Sequence, residues 1–200
     1  MSLHADASRV LAQWNAPTAA QKALRKRYLS VLERSPDAMT RACRPDHLTA
    51  STLVLSADGS SVLLTLHAKA QAWFQFGGHC EEDDATLAGA ALREAREESG
   101  LLGLSLDPVP VQLSEHAVPF CGGPLTAAES GGDSARQVHH LDVRFMAVAP
   151  EGAAHAVSEE SLDVRWWPVD ALPTKDEDMV ELVALAQARL GRRVGTAALD

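Results

Sequence analysis

Three glutamates, Glu94, Glu97 and Glu98, stand at i, i+3 and i+4 in the run Arg93-Glu94-Ala95-Arg96-Glu97-Glu98-Ser99-Gly100-Leu101. On a helix this spacing puts all three carboxylates on one face. Such crowding is unfavourable by itself, since one like-charge i,i+4 pair costs about 0.2–0.5 kcal/mol. A hard divalent cation turns the repulsion into coordination. Carboxylate oxygens suit magnesium, with manganese as the alternative ion, and magnesium commonly completes its shell with water and substrate phosphates. The chemistry indicated is a metal-assisted reaction of a phosphate-bearing small molecule.

Gly77-Gly78 lies upstream, between a strand-like run and the acidic helix. Glycines there allow unusual backbone angles and let a carbonyl or amide approach a metal or phosphate closely. The expected metal ligands are therefore Gly78, Glu94, Glu97 and Glu98. Arg93 stands four residues before Glu97, so it is expected to hold that carboxylate while Glu94 and Glu98 face the metal. The other helix face carries Ala88, Ala91, Leu92 and Ala95, small or apolar side chains that would pack on a sheet, and Gly100 is placed as a C-terminal cap.

The surrounding elements must position this helix. Up to about residue 35 the pattern is helical, broken at Asn15-Ala16-Pro17. Thr18 and Gln21 have capping-box spacing for the second helix, whose apolar stripe is Leu24, Tyr28, Val31 and Leu32. Its cluster Lys22, Arg25, Lys26 and Arg27 is expected to be a solvated face. From His47 the pattern turns to strands: residues 52–55 and 61–66 around a hairpin turn at 57–60, then 73–76 running into the glycine pair. Residues 85–98 are helical in period, and 109–113, 138–148 and 164–169 are further strand candidates. Residues 116–136 read as a long loop, either near the site or a surface insertion. Thr174 and Glu177 have capping-box spacing for a last helix with Met179, Val183, Ala186 and Leu190 on one face. The mixture lacks regular βαβ alternation, so the expected class is α/β (α+β), a mixed sheet packed with helices.

Residues 77–101 resemble the signature of the Nudix hydrolase family: Gly, five residues, Glu, seven residues, then Arg-Glu-aliphatic-x-Glu-Glu-x-Gly-aliphatic. With Gly78 as the first glycine, the residues Arg93, Glu94, Glu97, Glu98, Gly100 and Leu101 all fall on the second half, and Ala95 takes the aliphatic place. Asp84 replaces the mid-motif glutamate, the gap from there to Arg93 is one residue longer, and Phe76 stands where a proline often precedes the glycines. The run from Asp163 to Asp170 is similar to the family's late strand. The resemblance implies a Nudix-like α/β/α sandwich: residues 1–46 as an N-terminal helical extension, 47–173 as the hydrolase domain and 174–200 as its C-terminal helix. It further implies magnesium-dependent hydrolysis of a nucleoside diphosphate derivative, with Arg93, Glu94, Glu97 and Glu98 as the catalytic set. The base that handles water is Glu97 or Glu98, or Glu159 or Glu160 in the loop before the late strand. Rival readings are a catalytically silent nucleotide sensor or regulator, against which the retained acids argue, and a Nudix-fold isomerase, for which no acid–base motif is present.

Three side chains are weighed as substrate contacts. His79 follows the glycine pair, Trp73 offers a stacking face, and His140 shares a strand face with Asp142 and Arg144. Each has a structural alternative: core packing for Trp73, and the polar side of a half-buried strand for the His140 row. Cys43, Cys80 and Cys121, odd in number and without Cys-x-x-Cys spacing, argue against a disulfide framework or zinc–thiolate site and suit a cytoplasmic setting. The net charge of −9 disfavours a nucleic-acid polymer as partner. No apolar run is long enough to span a bilayer, and residues 1–14 lack a signal-peptide pattern. A homodimer through the N-terminal helices is the assembly left open.

Overall fold

A computed structural model describes residues 1–118, 138–157 and 161–197. In chain order the elements are α1 (Leu3–Gln13), α2 (Ala19–Arg34), β1 (Asp46–Leu55), β2 (Ser61–His67), β3 (Ala72–Phe74), β4 (Phe76–His79), α3 (Leu87–Ser99), β5 (Ser105–Ala117), β6 (His139–Val148), β7 (Ser161–Pro168) and α4 (Glu177–Ala197). The sheet runs β3-β2-β1-β6-β5, with β4 also pairing β1 and β7 also pairing β2. β1 and β6 are parallel and the other pairs antiparallel, so the sheet is mixed as expected.

Alternation along β1 sorts its two faces. Leu48 and Ala50 pack with Ala90 and Ala91 of α3 and with the inner residues of α1 and α2, Leu11, Tyr28 and Leu32 among them. Leu53 and Leu55 point the other way, into a cluster closed by Met179, Leu182, Val183 and Ala186 of α4. Helices therefore cover both faces of the sheet. Among the described residues no helix is long and apolar enough to cross a membrane.

Several sequence expectations change in detail. Strands β1 and β5 extend well beyond residues 52–55 and 109–113. The expected strand 73–76 is two strands: β3 pairs with β2, β4 pairs with β1, and Gln75 is the switch between them. The region 116–136 begins as strand, because His116 and Ala117 still pair with His140 and His139 of β6; residues 119–137 lie outside the described residues. Thr18 does cap α2 by accepting from the Gln21 N–H, but the Gln21 side chain does not reach back. It instead bonds both the N–H and the carbonyl of Leu113, at 2.7 and 3.0 Å, and so docks α2 on β5. At α4 the cap is Asp176, which accepts from Asp178 N–H, while Thr174 accepts from Asp176 N–H. Arg27 belongs to no solvated cluster: it forks onto Glu115 and reaches Asp46.

Candidate active site

The acidic helix α3 is fixed at both ends. Thr86 caps its start by accepting from Gly89 N–H, and Gly100 ends it in the left-handed conformation at φ 71°. A second cap comes from α1. The buried Asp6 accepts from Leu87 N–H at 3.0 Å, placing a carboxylate at the positive end of the helix. The N-terminal helices thus help hold the helix that carries the acids. On its inner face Ala90, Ala91 and Ala95 are buried, with Ala88 and Leu92 partly so. Thr52 of β1 donates to Ala91 carbonyl and fixes the helix height over the sheet.

The outer carboxylates close over the glycine pair. A Cβ added at Gly78 would lie 2.7–2.9 Å from the Glu94 carboxylate group. Glu98 accepts from Gly77 N–H at 3.2 Å. A Cβ at Gly77 would lie 2.3 Å from Ser51 Cβ and 2.8 Å from the Ala50 carbonyl. Neither glycine has positive φ. They are required for close approach rather than for unusual backbone angles, a correction to half of the sequence argument.

Arg93 organises the cluster differently from the expected single pairing with Glu97. Its Nη1 donates to Glu94 at 3.0 Å and to Glu97 at 3.1 Å. Its Nε and Nη2 fork onto the two oxygens of Asp84, at 3.1 and 2.9 Å, and Nη2 also reaches the His79 carbonyl. Asp84, whose side chain is 8% exposed, also accepts from Glu81 N–H. Burial alone would raise the Asp84 carboxyl, but the bonds from Arg93 and Glu81 and the arginine charge bring it below the usual range. The bond to Asp84 contributes most to raising Arg93 further. Burial, with the charges of Glu97 and Glu81, raises the Glu94 carboxyl despite the neighbouring arginine.

The sheet face on the α4 side carries the other candidates. His140 sits in register with His47, and Asp142 with Thr49. Asp142 accepts from Thr49 Oγ1 at 3.0 Å, Ser51 Oγ at 2.7 Å and Arg144 Nε at 3.1 Å. Arg144 in turn pairs with Asp178 at 2.8 Å and donates to Gln112. Both Asp142 and Arg144 are buried, so this row is an internal ion-pair network rather than the solvated side of a strand. The His140 ring packs against His79 and His47 at centroid separations of 4.8 and 4.9 Å. Burial, then the neighbouring imidazoles, lowers His140 to about 3 and His79 to about 4. Trp73 sits edge-on to Trp167 at 5.2 Å and packs against the α4 core. Burial lifts the Cys80 thiol to about 12, which leaves it a poor nucleophile; Cys43 is also a buried free thiol. Glu159, Glu160 and Cys121 lie outside the described residues.

A model of the NUDIX domain family matches residues 45–186. The chain belongs to the Nudix family. Solved structures with the same fold include a NUDIX-family hydrolase from Clostridium perfringens (21% identity, 70% of this chain and 97% of that one, TM-score 0.50). An Ap4A hydrolase of C. elegans in a binary complex aligns at 14% identity over 72% of this chain and 97% of that one, TM-score 0.52. The NUDIX domain of Shewanella oneidensis NrtR, complexed with ADP ribose, aligns at 20% identity over 75% and 92%, TM-score 0.51. No curated protein matches the chain. Against the Nudix signature the chain's own departure now has a physical reading: Asp84, shorter than glutamate and one residue further from Arg93 in sequence, still meets the guanidinium with both oxygens.

Sequence reasoning identified the helix and the glycine pair, which lies within β4 rather than between strand and helix, but did not bring His47 beside His140. The strand was read from Thr52, although the alternation His47, Thr49, Ser51 already marks one polar face of a longer strand. It also gave Asp84 no partner, although opposite charges at both ends of the turn and helix start were a visible signal.

Proposed function

We propose that the chain is a divalent-metal-dependent hydrolase that cleaves the diphosphate linkage of a nucleoside diphosphate derivative or similar small molecule. The observation that carries this is the closure of Glu94 and Glu98 over Gly77-Gly78, which gathers carboxylate oxygens beside a backbone approachable at van der Waals distance. Membership of the Nudix family supports it. ADP ribose, bound by the Shewanella domain, is a nucleoside diphosphate derivative and sets the compound class to test first.

The donor set fits magnesium. It is all oxygen, Glu94 and Glu98 are partly buried, and the space at Gly78 that a side chain would fill is taken by the Glu94 carboxylate. Gly78, through its carbonyl, and Glu94, Glu97 and Glu98 would hold the ion. Bound magnesium supplies charge neutralisation and orientation of the diphosphate. Arg93, locked by Asp84, keeps Glu94 and Glu97 from turning away into solvent. A carboxylate oxygen of Glu97 or Glu98, or of Glu159 or Glu160, takes a proton from water. The water oxygen bonds to phosphorus, the bridging P–O bond breaks, and the leaving phosphate departs with the electron pair. His79 and His140, and Trp73 further along, are the candidate contacts for the rest of the substrate. Two buried free thiols fit a reducing, cytoplasmic setting.

The test is a panel of nucleoside triphosphates, nucleotide sugars, dinucleotides and ADP ribose with magnesium, with and without chelator, on the native chain and on Glu98→Gln. Chelator-sensitive turnover that falls at least about 100-fold in the variant is expected. Binding without turnover in the native chain would move the nucleotide-sensor reading ahead.

A further inference from the structure

Beyond the carboxylates, the described residues hold one group of histidines drawn from three strands. His47 comes from β1, His140 from β6 and His79 from β4, and one ring nitrogen from each lies within 4.8 Å of the other two. The parallel register sets His47 directly beside His140, and the antiparallel register sets His79 beside Thr49 on the other edge of β1. All three side chains project from the α4 side of the sheet, together with Thr49, whereas Gly78 turns toward α3 and Glu94.

We propose that His47, His79 and His140 form a second metal site, a three-imidazole site for zinc, separate from the carboxylate site on α3. Zinc bound by imidazole nitrogens at about 2.0–2.1 Å in tetrahedral geometry holds the ring centroids about 5 Å apart. The observed separations are 5.2, 4.9 and 4.8 Å. The centroid spacing matches, and rotation about the side-chain bonds must bring the nitrogens, now within 4.8 Å of one another, to the roughly 3.3 Å that tetrahedral zinc requires. His47 Nδ1 lies 3.1 Å from the Cys43 carbonyl. Donation of an Nδ1–H there places the lone pair on Nε2 and holds the ring, as a backbone carbonyl does for metal-bound histidines in general. His47 is fully buried, and the other two are part-exposed, so the site has an approach from one side.

Donor chemistry separates this site from the first. Imidazole suits zinc and other later transition ions, whereas magnesium takes oxygen donors. Three protein ligands leave a fourth position for water or an anionic oxygen, the arrangement found where zinc exchanges ligands. His116 of β5 packs against His140 at a centroid separation of 5.5 Å and is not one of the three converging ligands. A cluster of packed neutral histidines without an ion is the alternative that the experiment must exclude.

Chelator-treated full-length protein, with excess magnesium present to occupy the carboxylates, is titrated with zinc chloride by calorimetry, with X-ray absorption on the loaded sample. The expected result is one zinc per chain, with three imidazole nitrogens at about 2.0–2.1 Å. His47→Gln, His79→Gln and His140→Gln should each weaken zinc binding at least tenfold, and Glu94→Gln and Glu98→Gln should leave it unchanged. Zinc should raise the melting temperature of the native protein but not of His140→Gln, a readout that also shows the variant is folded. No zinc binding by the native protein, or binding lost in the glutamate variants and kept in the histidine variants, overturns the proposal. Absence of zinc binding leaves the hydrolytic reading standing, since that is tested with magnesium on the glutamates; binding lost only in the glutamate variants would place the ion at the carboxylates and overturn the histidine site alone.

Discussion

Replacing each member of the glycine pair by alanine separates what holds the sheet from what holds the metal. At Gly78 the new methyl would stand 2.7 Å from Glu94 Oε1. Reaching ordinary contact at 3.4 Å requires the carboxylate to retreat by about 0.7 Å. The obstructing atom is the end of a flexible side chain, so folding should lose less than about 1 kcal/mol, a shift of roughly 3 °C or less in melting temperature. Metal ligands tolerate far less displacement, and a misplacement of this size costs about 10- to 100-fold in activity. At Gly77 the methyl would stand 2.3 Å from Ser51 Cβ and 2.7 Å from Ser51 Cα. The obstruction is the neighbouring strand, so β1 and β4 must part. The expected cost is about 2–4 kcal/mol, or roughly 5–15 °C. The assay is thermal denaturation of both variants beside magnesium-dependent phosphate-anhydride hydrolysis. A Gly78→Ala protein with native activity, or a Gly77→Ala protein with native stability, refutes the geometry on which the site rests.

Other consequences follow from the same contacts. Gln21→Ala removes two buried bonds to Leu113 and should lower stability by about 2–4 kcal/mol in urea unfolding, while Gln21→Glu should do no better because the carboxylate lacks the donor. Asp84→Asn replaces the charged fork on Arg93 Nε and Nη2 by a neutral amide, while the bonds of Arg93 to Glu94, Glu97 and the His79 carbonyl stay. The expected result is a loss of about 1–3 kcal/mol in stability and a fall in kcat with little change in KM. Metal-free protein should weaken as pH falls from about 7 toward 4. The fold keeps His79 and His140 neutral, at about 4 and about 3, where the unfolded chain protonates them near 6.5. The unfolded state then binds more protons, so stability rises with pH through that window. Allowing for the part-exposed rings, the contribution is about 1–2 kcal/mol, and the native-minus-His140→Gln difference in urea midpoint at pH 7 and pH 5 measures it.

The order of the elements was legible because periodicity and capping are local properties. Thr86, the alanine face and Gly100 specify α3 within its own sequence, and the i, i+3, i+4 glutamates needed only that helix to converge. What the sequence did not disclose depends on partners far along the chain. The parallel pairing of β1 with β6 brings His47 to His140 across 93 positions of sequence, and no local pattern encodes it. The split at Gln75 was hidden because β3 and β4 read as one apolar run, although each pairs with a different strand. Gln21 looked like a cap residue, and its side chain was taken by β5 because an edge backbone group there needed a partner. Residues 119–137 and 158–160, which include Glu159 and Glu160, lie outside the described residues.

The most direct test is the count of bound manganese by electron paramagnetic resonance in the native chain, Glu94→Gln and Glu98→Gln, each checked for an unchanged melting temperature. Manganese reports on the oxygen site without requiring the substrate to be known. Saturable binding in the native chain, weakened at least tenfold in both variants, is the expected result. Equal binding in all three proteins would contradict a metal centre at the acidic face of α3.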